Sequence, residues 1–147
     1  MEQELQAYLH KHIPLSGRMD MCVLEATNER VRLSAPLEPN INHRESVFGG
    51  SLSALAILSA WSYLYARLRQ EDRKCRLVIQ RNTMHYDEPG LGVFEATVEN
   101  VDEEAWQRFT KTIDKMGKAR ITLNSVLSSG ESVLGRFEGQ FVAIRLD

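Results

Sequence analysis

Several things are scarce in this chain, and each scarcity excludes something. Two cysteines in 147 residues, Cys22 and Cys75, with no CxxC spacing, supply neither a disulfide framework nor a metal knuckle; they read as buried structural thiols. Four prolines and nine glycines are too few for a disordered or collagen-like chain. An excess of one charge is missing too. Eighteen Lys+Arg against 20 Asp+Glu leave a formal net charge of −2, which argues against a dedicated nucleic-acid binder. No apolar run is long enough to span a membrane: the most apolar stretch, Leu52 to Leu68, is interrupted by Ser53, Ser59, Ser62 and Arg67. The start, Met1-Glu2-Gln3-Glu4-Leu5, is acidic where a secretory signal would be basic. His10 and His12 sit two residues apart on a helical stretch, so they point to different faces and make a poor metal pair. These absences lead us to expect a soluble, cytoplasmic protein with no metal or cofactor and with neither nucleic acid nor membrane as partner.

What is present is a 43% hydrophobic chain of single-domain length. A chain this size buries about 68–70% of its unfolded surface, so we expect residues 1–147 to form one domain without staples. Residues 1–18 read as an N-terminal helix and turn: Leu5, Tyr8, Leu9 and His12 share a face, and Pro14 and Gly17 end the helix. From Met19 to Leu37 the period changes to two, with Met21, Val23, Val31, Leu33 and Ala35 alternating with polar residues about Thr27-Asn28-Glu29, which predicts a β-hairpin. Glu38 to Val47 is a polar loop. Gly49-Gly50-Ser51 then opens a helix to about Arg69 that is apolar almost all round, with Leu52, Leu55, Ile57, Leu58, Trp61, Leu64 and Leu68 sharing no single face. Such a helix must be wrapped by other structure.

The remainder supplies the wrapping. Cys75 to Tyr86 and Val93 to Val101 read as strands separated by Asp87-Glu88-Pro89-Gly90. Glu103 to Met116 carries Trp106, Phe109, Ile113 and Met116 at helical spacing. Lys118 to Leu127 and Val133 to Leu146 are two further strands hinged at Ser128-Ser129-Gly130. Runs of strands joined by short turns predict an α+β domain, an antiparallel sheet with a helix on one face.

Polar and glycine residues gather at Asn42-His43-Arg44-Glu45-Ser46-Val47-Phe48-Gly49-Gly50-Ser51, directly before the buried helix. Glycines there let a substrate approach the backbone. The unpaired N–H groups and the positive helix end favour an anion or a polarised carbonyl, which makes an oxyanion site. A tight turn and helix cap would use the same residues, and Asn42 in such a loop is also a turn former. Ser51, Ser59 and Ser62 fall within about 80° of one another on the helix. That stripe either lines a pocket or bonds back to helix carbonyls. His85 reads as a satisfied core or interface histidine. Arg69, Arg73, Lys74 and Arg76 form a basic patch, read either as a solvated helix end or as a contact for coenzyme A phosphates or an acidic carrier protein.

The combination of Asn42…Phe48-Gly49-Gly50-Ser51-Leu52, Ala60-Trp61-Ser62-Tyr63-Leu64-Tyr65 and His85-Tyr86-Asp87-Glu88-Pro89 resembles the hotdog fold of acyl-thioester enzymes over nearly the whole chain. Within that fold it is similar to the "putative thioesterase" branch that includes malonyl-acyl-carrier-protein decarboxylases, standing alone or fused behind an acetyltransferase-like domain. No such segment precedes it here, so a stand-alone form is expected. The resemblance implies one hotdog domain, an acyl carrier protein or coenzyme A thioester as substrate, and a homodimer or dimer of dimers.

Two departures bear on the chemistry. Phe48 stands where hotdog thioesterases commonly carry His before Gly-Gly, and the helix has no acid from Ser51 to Gln70. Hydrolysis needs a positioned base or a nucleophile. Decarboxylation of a malonyl thioester needs only stabilisation of the enolate oxygen, because the leaving group is neutral CO2. The expected function is therefore conversion of malonyl-acyl carrier protein to acetyl-acyl carrier protein for initiation of fatty-acid synthesis. Asn42, Gly50 and Ser51 are the catalytic candidates, and His43, Arg44, Phe48, Gly49 and Ile57 are the substrate-binding ones. The alternatives are a thioesterase on acyl carrier protein or coenzyme A esters and a non-catalytic acyl-thioester binding module.

Overall fold

The computed structural model describes all residues, 1–147. Six strands form one antiparallel sheet: β1 (Cys22–Ala26), β2 (Arg30–Ala35), β3 (Cys75–Tyr86), β4 (Phe94–Glu99), β5 (Lys118–Ser129) and β6 (Ser132–Arg145), in the order β1-β2-β4-β5-β6-β3. Between β2 and β3 the chain forms α3 (Gly49–Gln70), which packs on β2, β3, β4, β5 and β6. This is the α+β hotdog arrangement the sequence predicts. Twelve of the 22 residues of α3 are buried, among them Leu55, Ala56, Ala60 and Leu64 at 0% exposure. Each buried leucine contributes about 1.5–3 kcal/mol, so α3 organises the core.

The helix α4 (Glu103–Met116) matches its predicted bounds. Asp102 caps it by accepting from the Glu104 N–H at 3.2 Å, and Gly117 ends it in the left-handed region at φ 77°. Strands β4 and β5 pair only over Glu95–Thr97 and Val126–Ser128. Helix α4 packs on β5 and buries Trp106, Phe109 and Ile113 in the core.

A buried cation ties three elements together. Arg67, near the end of α3, donates to Glu103 Oε2 of α4 at 2.7 Å and to the Tyr63 hydroxyl at 2.7 Å. That hydroxyl donates in turn to the Asn28 carbonyl in the β1–β2 turn at 3.0 Å. The guanidinium lies 4.3 Å from the Trp106 ring centroid, and Trp106 Nε1 donates to Glu71 at 2.9 Å. Every polar end of this apolar corner has a partner, as its burial requires.

The two sheet edges differ. At β1 the N-terminal helix α1 (Glu2–His12) supplies side chains to the strand backbone: Val23 N–H donates to Gln6 Oε1 at 2.8 Å and Ala26 N–H to Glu2 Oε2 at 3.1 Å. At the other edge, β3 pairs only with β6, so twelve residues present a bare flank.

Some expectations need correction. The segment Pro14–Arg18 is a second short helix, α2, and not a turn: proline suits its first turn, where a backbone donor is superfluous. Cys22 is exposed and Cys75 only half-buried, because both lie on edge strands, where one side of the backbone faces solvent. His85 is exposed on the open edge strand β3 and is not a core histidine. In the supposed basic patch, Arg73 is neutralised by Asp114 at 2.8 Å and by Glu71. The β5–β6 turn falls at Gly130-Glu131, sharing only Gly130 with the predicted hinge Ser128-Ser129-Gly130, because β5 continues through Ser129.

Replacing Arg67 by Ala should lower stability by about 2 kcal/mol, the scale of charge-assisted bonds made in a mostly buried site. Urea unfolding followed by tryptophan fluorescence would show this as a shifted midpoint with an unchanged slope.

Candidate active site at the start of the central helix

The chain enters α3 through a tight loop. Ile41 bridges to Val47, Asn42 N–H donates to the Ser46 carbonyl at 2.8 Å, Val47 N–H to Gly90 at 2.8 Å and Phe48 N–H to Asn40 at 2.7 Å. Asn40 is buried and anchors the loop by donating from Nδ2 to the carbonyls of Met19 (3.0 Å) and Pro36 (2.8 Å). Phe48 is the residue before the first helical turn, and no side chain caps that end. Ser51 N–H and Leu52 N–H both turn back to the Phe48 carbonyl, at 2.9 and 3.2 Å, which leaves the N–H groups of Gly49 and Gly50 outside any hydrogen bond. Two free donors stand at the positive end of a 22-residue helix.

Both glycines lie against aromatic side chains. A Cβ on Gly49 would press on Tyr86 Cε1 at 3.3 Å, and one on Gly50 would run into the ring of Phe48. The first of these contacts brings the end of β3 to the start of α3. Val47, Gly49, Leu52, Tyr86, Asp87, Glu88 and Pro89 line an open groove of about 360 Å³ there. Thus the Gly-Gly-Ser segment and the Tyr-Asp-Glu-Pro segment, far apart in the chain, face each other across one groove.

The candidate residues separate. Gly49 lines the groove, Gly50 and Ser51 lie in the same first turn, and the exposed Phe48 ring covers Gly50. The Asn42 amide is committed to its own loop: Oδ1 accepts from Arg44 N–H (2.8 Å) and Ser46 N–H (3.1 Å), and Nδ2 donates one hydrogen to Ser46 Oγ at 3.1 Å. Its second amide hydrogen is free. His43 and Arg44 are exposed on the loop and do not line the groove. Ile57 sits two turns further along α3, about 12 Å from Gly49 at 1.5 Å per residue, and is half-buried. The serine stripe divides. Ser59 Oγ donates back to the Ala56 carbonyl at 2.7 Å and shares a 2.7 Å bond with Ser125 Oγ, whereas Ser62 Oγ is buried with no partner.

Sequence reasoning passed over Tyr86, Asp87 and Glu88 as site residues, treating them as the stop of a strand. Asp87 accepts from Arg136 at 3.2 Å, while the Glu88 carboxylate has no side-chain partner and lines the groove. Their sequence signal was the segment His85-Tyr86-Asp87-Glu88-Pro89 within the family resemblance, which assigned them no role; their position opposite Gly49 is a tertiary fact.

An antiparallel sheet wrapped round a long central helix is the hotdog arrangement. The chain belongs to the family described as "Putative thioesterase (yiiD_Cterm)", whose model matches residues 2–145. It is similar to a protein of unknown function from Chlorobaculum tepidum TLS (28% identity, TM-score 0.91, covering 99% of this chain and 94% of that one). It is also similar to a "putative thioesterase" from Shewanella oneidensis (25% identity, TM-score 0.83, 97% and 96% covered). A "Probable Thioesterase" from Pseudomonas aeruginosa shares the fold at 20% identity (TM-score 0.82, 99% and 97% covered).

The contact between Gly49 and Tyr86 is open to a double-mutant cycle. Gly49→Ala should be less favourable beside Tyr86 than in the Tyr86→Ala background, a coupling of about 0.5 kcal/mol or more. Equal costs in both backgrounds would show that the two residues do not meet.

Proposed function

We propose that the start of α3 holds the oxygen of an acyl thioester and that the protein decarboxylates malonyl-acyl carrier protein to the acetyl form. The observation that carries this reading is the pair of unbonded N–H groups at Gly49 and Gly50, on a helix that bears no acid anywhere from Gly49 to Gln70. In the reaction the bond between the substrate's Cα and its carboxylate breaks and CO2 departs. The electron pair passes into the thioester as an enolate, whose oxygen the two N–H groups and the free hydrogen of Asn42 receive. A proton from water, Ser51 or His43 then completes the acetyl group. No protein base removes a proton, so a helix without an acid is no impediment. Initiation of fatty-acid synthesis is the process such a product would serve.

Hydrolysis is the second reading, and Glu88 favours it: an unpaired carboxylate on the groove can activate water against a bound thioester. One assay separates the two. With malonyl and longer acyl thioesters of acyl carrier protein and of coenzyme A, CO2 and an acetyl thioester indicate decarboxylation; free thiol, abolished in Glu88→Gln, indicates hydrolysis. Asn42→Asp keeps an oxygen for the loop's own bonds and loses the amide donor. We expect it to lower kcat by about 10²–10³, the loss expected of one oxyanion donor. Full activity in that folded variant would remove Asn42 from the mechanism.

The same reading includes a homodimer formed along β3. A bare twelve-residue edge is a template for another strand, and two-fold pairing of identical edges closes the contact. Light scattering should give twice the chain mass or a multiple of it, and proline at Val78, within the edge, should reduce it to the monomer.

A further inference from the structure

Strand β5 outruns its neighbour on one side. It pairs with β6 along its whole length, but with β4 only at Val126, Leu127 and Ser128. From Lys118 to Ser125 the flank turned away from β6 has no strand beside it, and no backbone bond joins it to α4. Helix α4 closes this split from below by sending Trp106, Phe109 and Ile113 into the core.

The closure is incomplete. A cleft of about 310 Å³ remains between α4 and β5. Four consecutive strand residues, Ala119 to Thr122, line one side of it. Successive side chains of a strand point to opposite faces, so four in a row share one cleft only along the strand's edge. The other side is a single face of α4, with Ala105, Arg108, Phe109 and Thr112 at helical spacing. The floor is apolar, because Phe109, Ala119 and Ile121 are all buried there. The rim is cationic. Arg108 from the helix and Arg120 from the strand are exposed, and neither belongs to any ion pair of the chain. Two guanidinium groups therefore stand over one apolar floor without a counter-charge.

This cleft is separate from the groove at the start of α3. Ile121 lies in register with Phe141 and Ile79, whereas Tyr86 lies in register with Gly135 and Leu127. The two rows are six residues apart along β5, about 20 Å.

We infer that the α4–β5 cleft binds a small carboxylate with a short apolar body, a ligand additional to the substrate. Its carboxylate sits between Arg108 and Arg120, where planar guanidinium groups match carboxylate geometry. Its hydrocarbon lies along the strand edge from Ala119 to Thr122, a span of about 10 Å, the reach of a chain of about six carbons. A bare anion makes no use of the floor, and a neutral apolar molecule makes no use of the rim. The bound molecule ties α4 to β5 where no strand does.

Titration of hexanoate into isotope-labelled protein, followed through the backbone amide resonances, tests this. We expect the amides of Arg108, Thr112 and Ala119 to Thr122 to move to saturation. Hexanamide keeps the body and loses the charge; inorganic phosphate keeps the charge and loses the body. Each should bind about tenfold or more weakly than hexanoate. Arg108→Gln and Arg120→Gln should each weaken hexanoate about tenfold, the loss of one charge-assisted bond. Both side chains are exposed, so neither change disturbs the core. Ala105→Leu, which fills the cleft without altering charge, should weaken hexanoate as well. Unmoved cleft amides, or full affinity in both arginine variants, overturn the site. Phosphate that binds as tightly as hexanoate overturns the ligand class. Shifts confined to Gly49, Leu52 and Tyr86 place hexanoate in the groove and overturn the cleft.

Discussion

A helix that is apolar on most of its faces has to be enclosed, and most of the remaining structure follows from enclosing α3. A six-stranded antiparallel sheet twists enough to curl round one helix, and all six strands touch α3, β1 least. One side is left over. The sheet ends at β3, and a half-exposed ridge of α3 from Gly49 to Tyr65 lies where the covering stops. The helix begins with two unbonded donors at that same margin of the core.

The start of α3 combines demands that ordinarily conflict. A helix end needs caps, yet Phe48 offers none and the first two N–H groups stay free. The loop before it holds itself in place without them, through the Asn40 anchor and the Asn42–Ser46 bonds. The donors are fixed in direction by the helix while remaining unspent. Preorganisation of that kind is what stabilising a developing oxyanion requires.

Local pattern made the elements legible in the sequence. Amphipathic spacing of Trp106, Phe109 and Ile113 gave α4 its bounds, and the all-round apolar run announced a wrapped helix. The facing of Gly49 by Tyr86 and Glu88 was not legible, because it depends on which strand ends beside which helix, and nothing local to residues 86–88 encodes that. Asn42 shows a different limit. Its residue type and spacing fit both an oxyanion donor and a loop former, and the folded loop employs its oxygen and one amide hydrogen in the second role. Cys22 was misjudged as buried because composition says nothing about whether a strand lies at an edge.

The cover that α1 places on β1 has a consequence for growth of the sheet. A curled sheet with two bare flanks could add copies head to tail without end, as fibres do. Here Glu2 and Gln6 occupy the backbone donors of Val23 and Ala26 on one flank, so only the β3 flank can accept another strand. Edge-to-edge assembly through β3 would therefore terminate once two such flanks had met. A helix of eleven residues would then act as a chain stopper, the difference between a finite particle and an endless polymer.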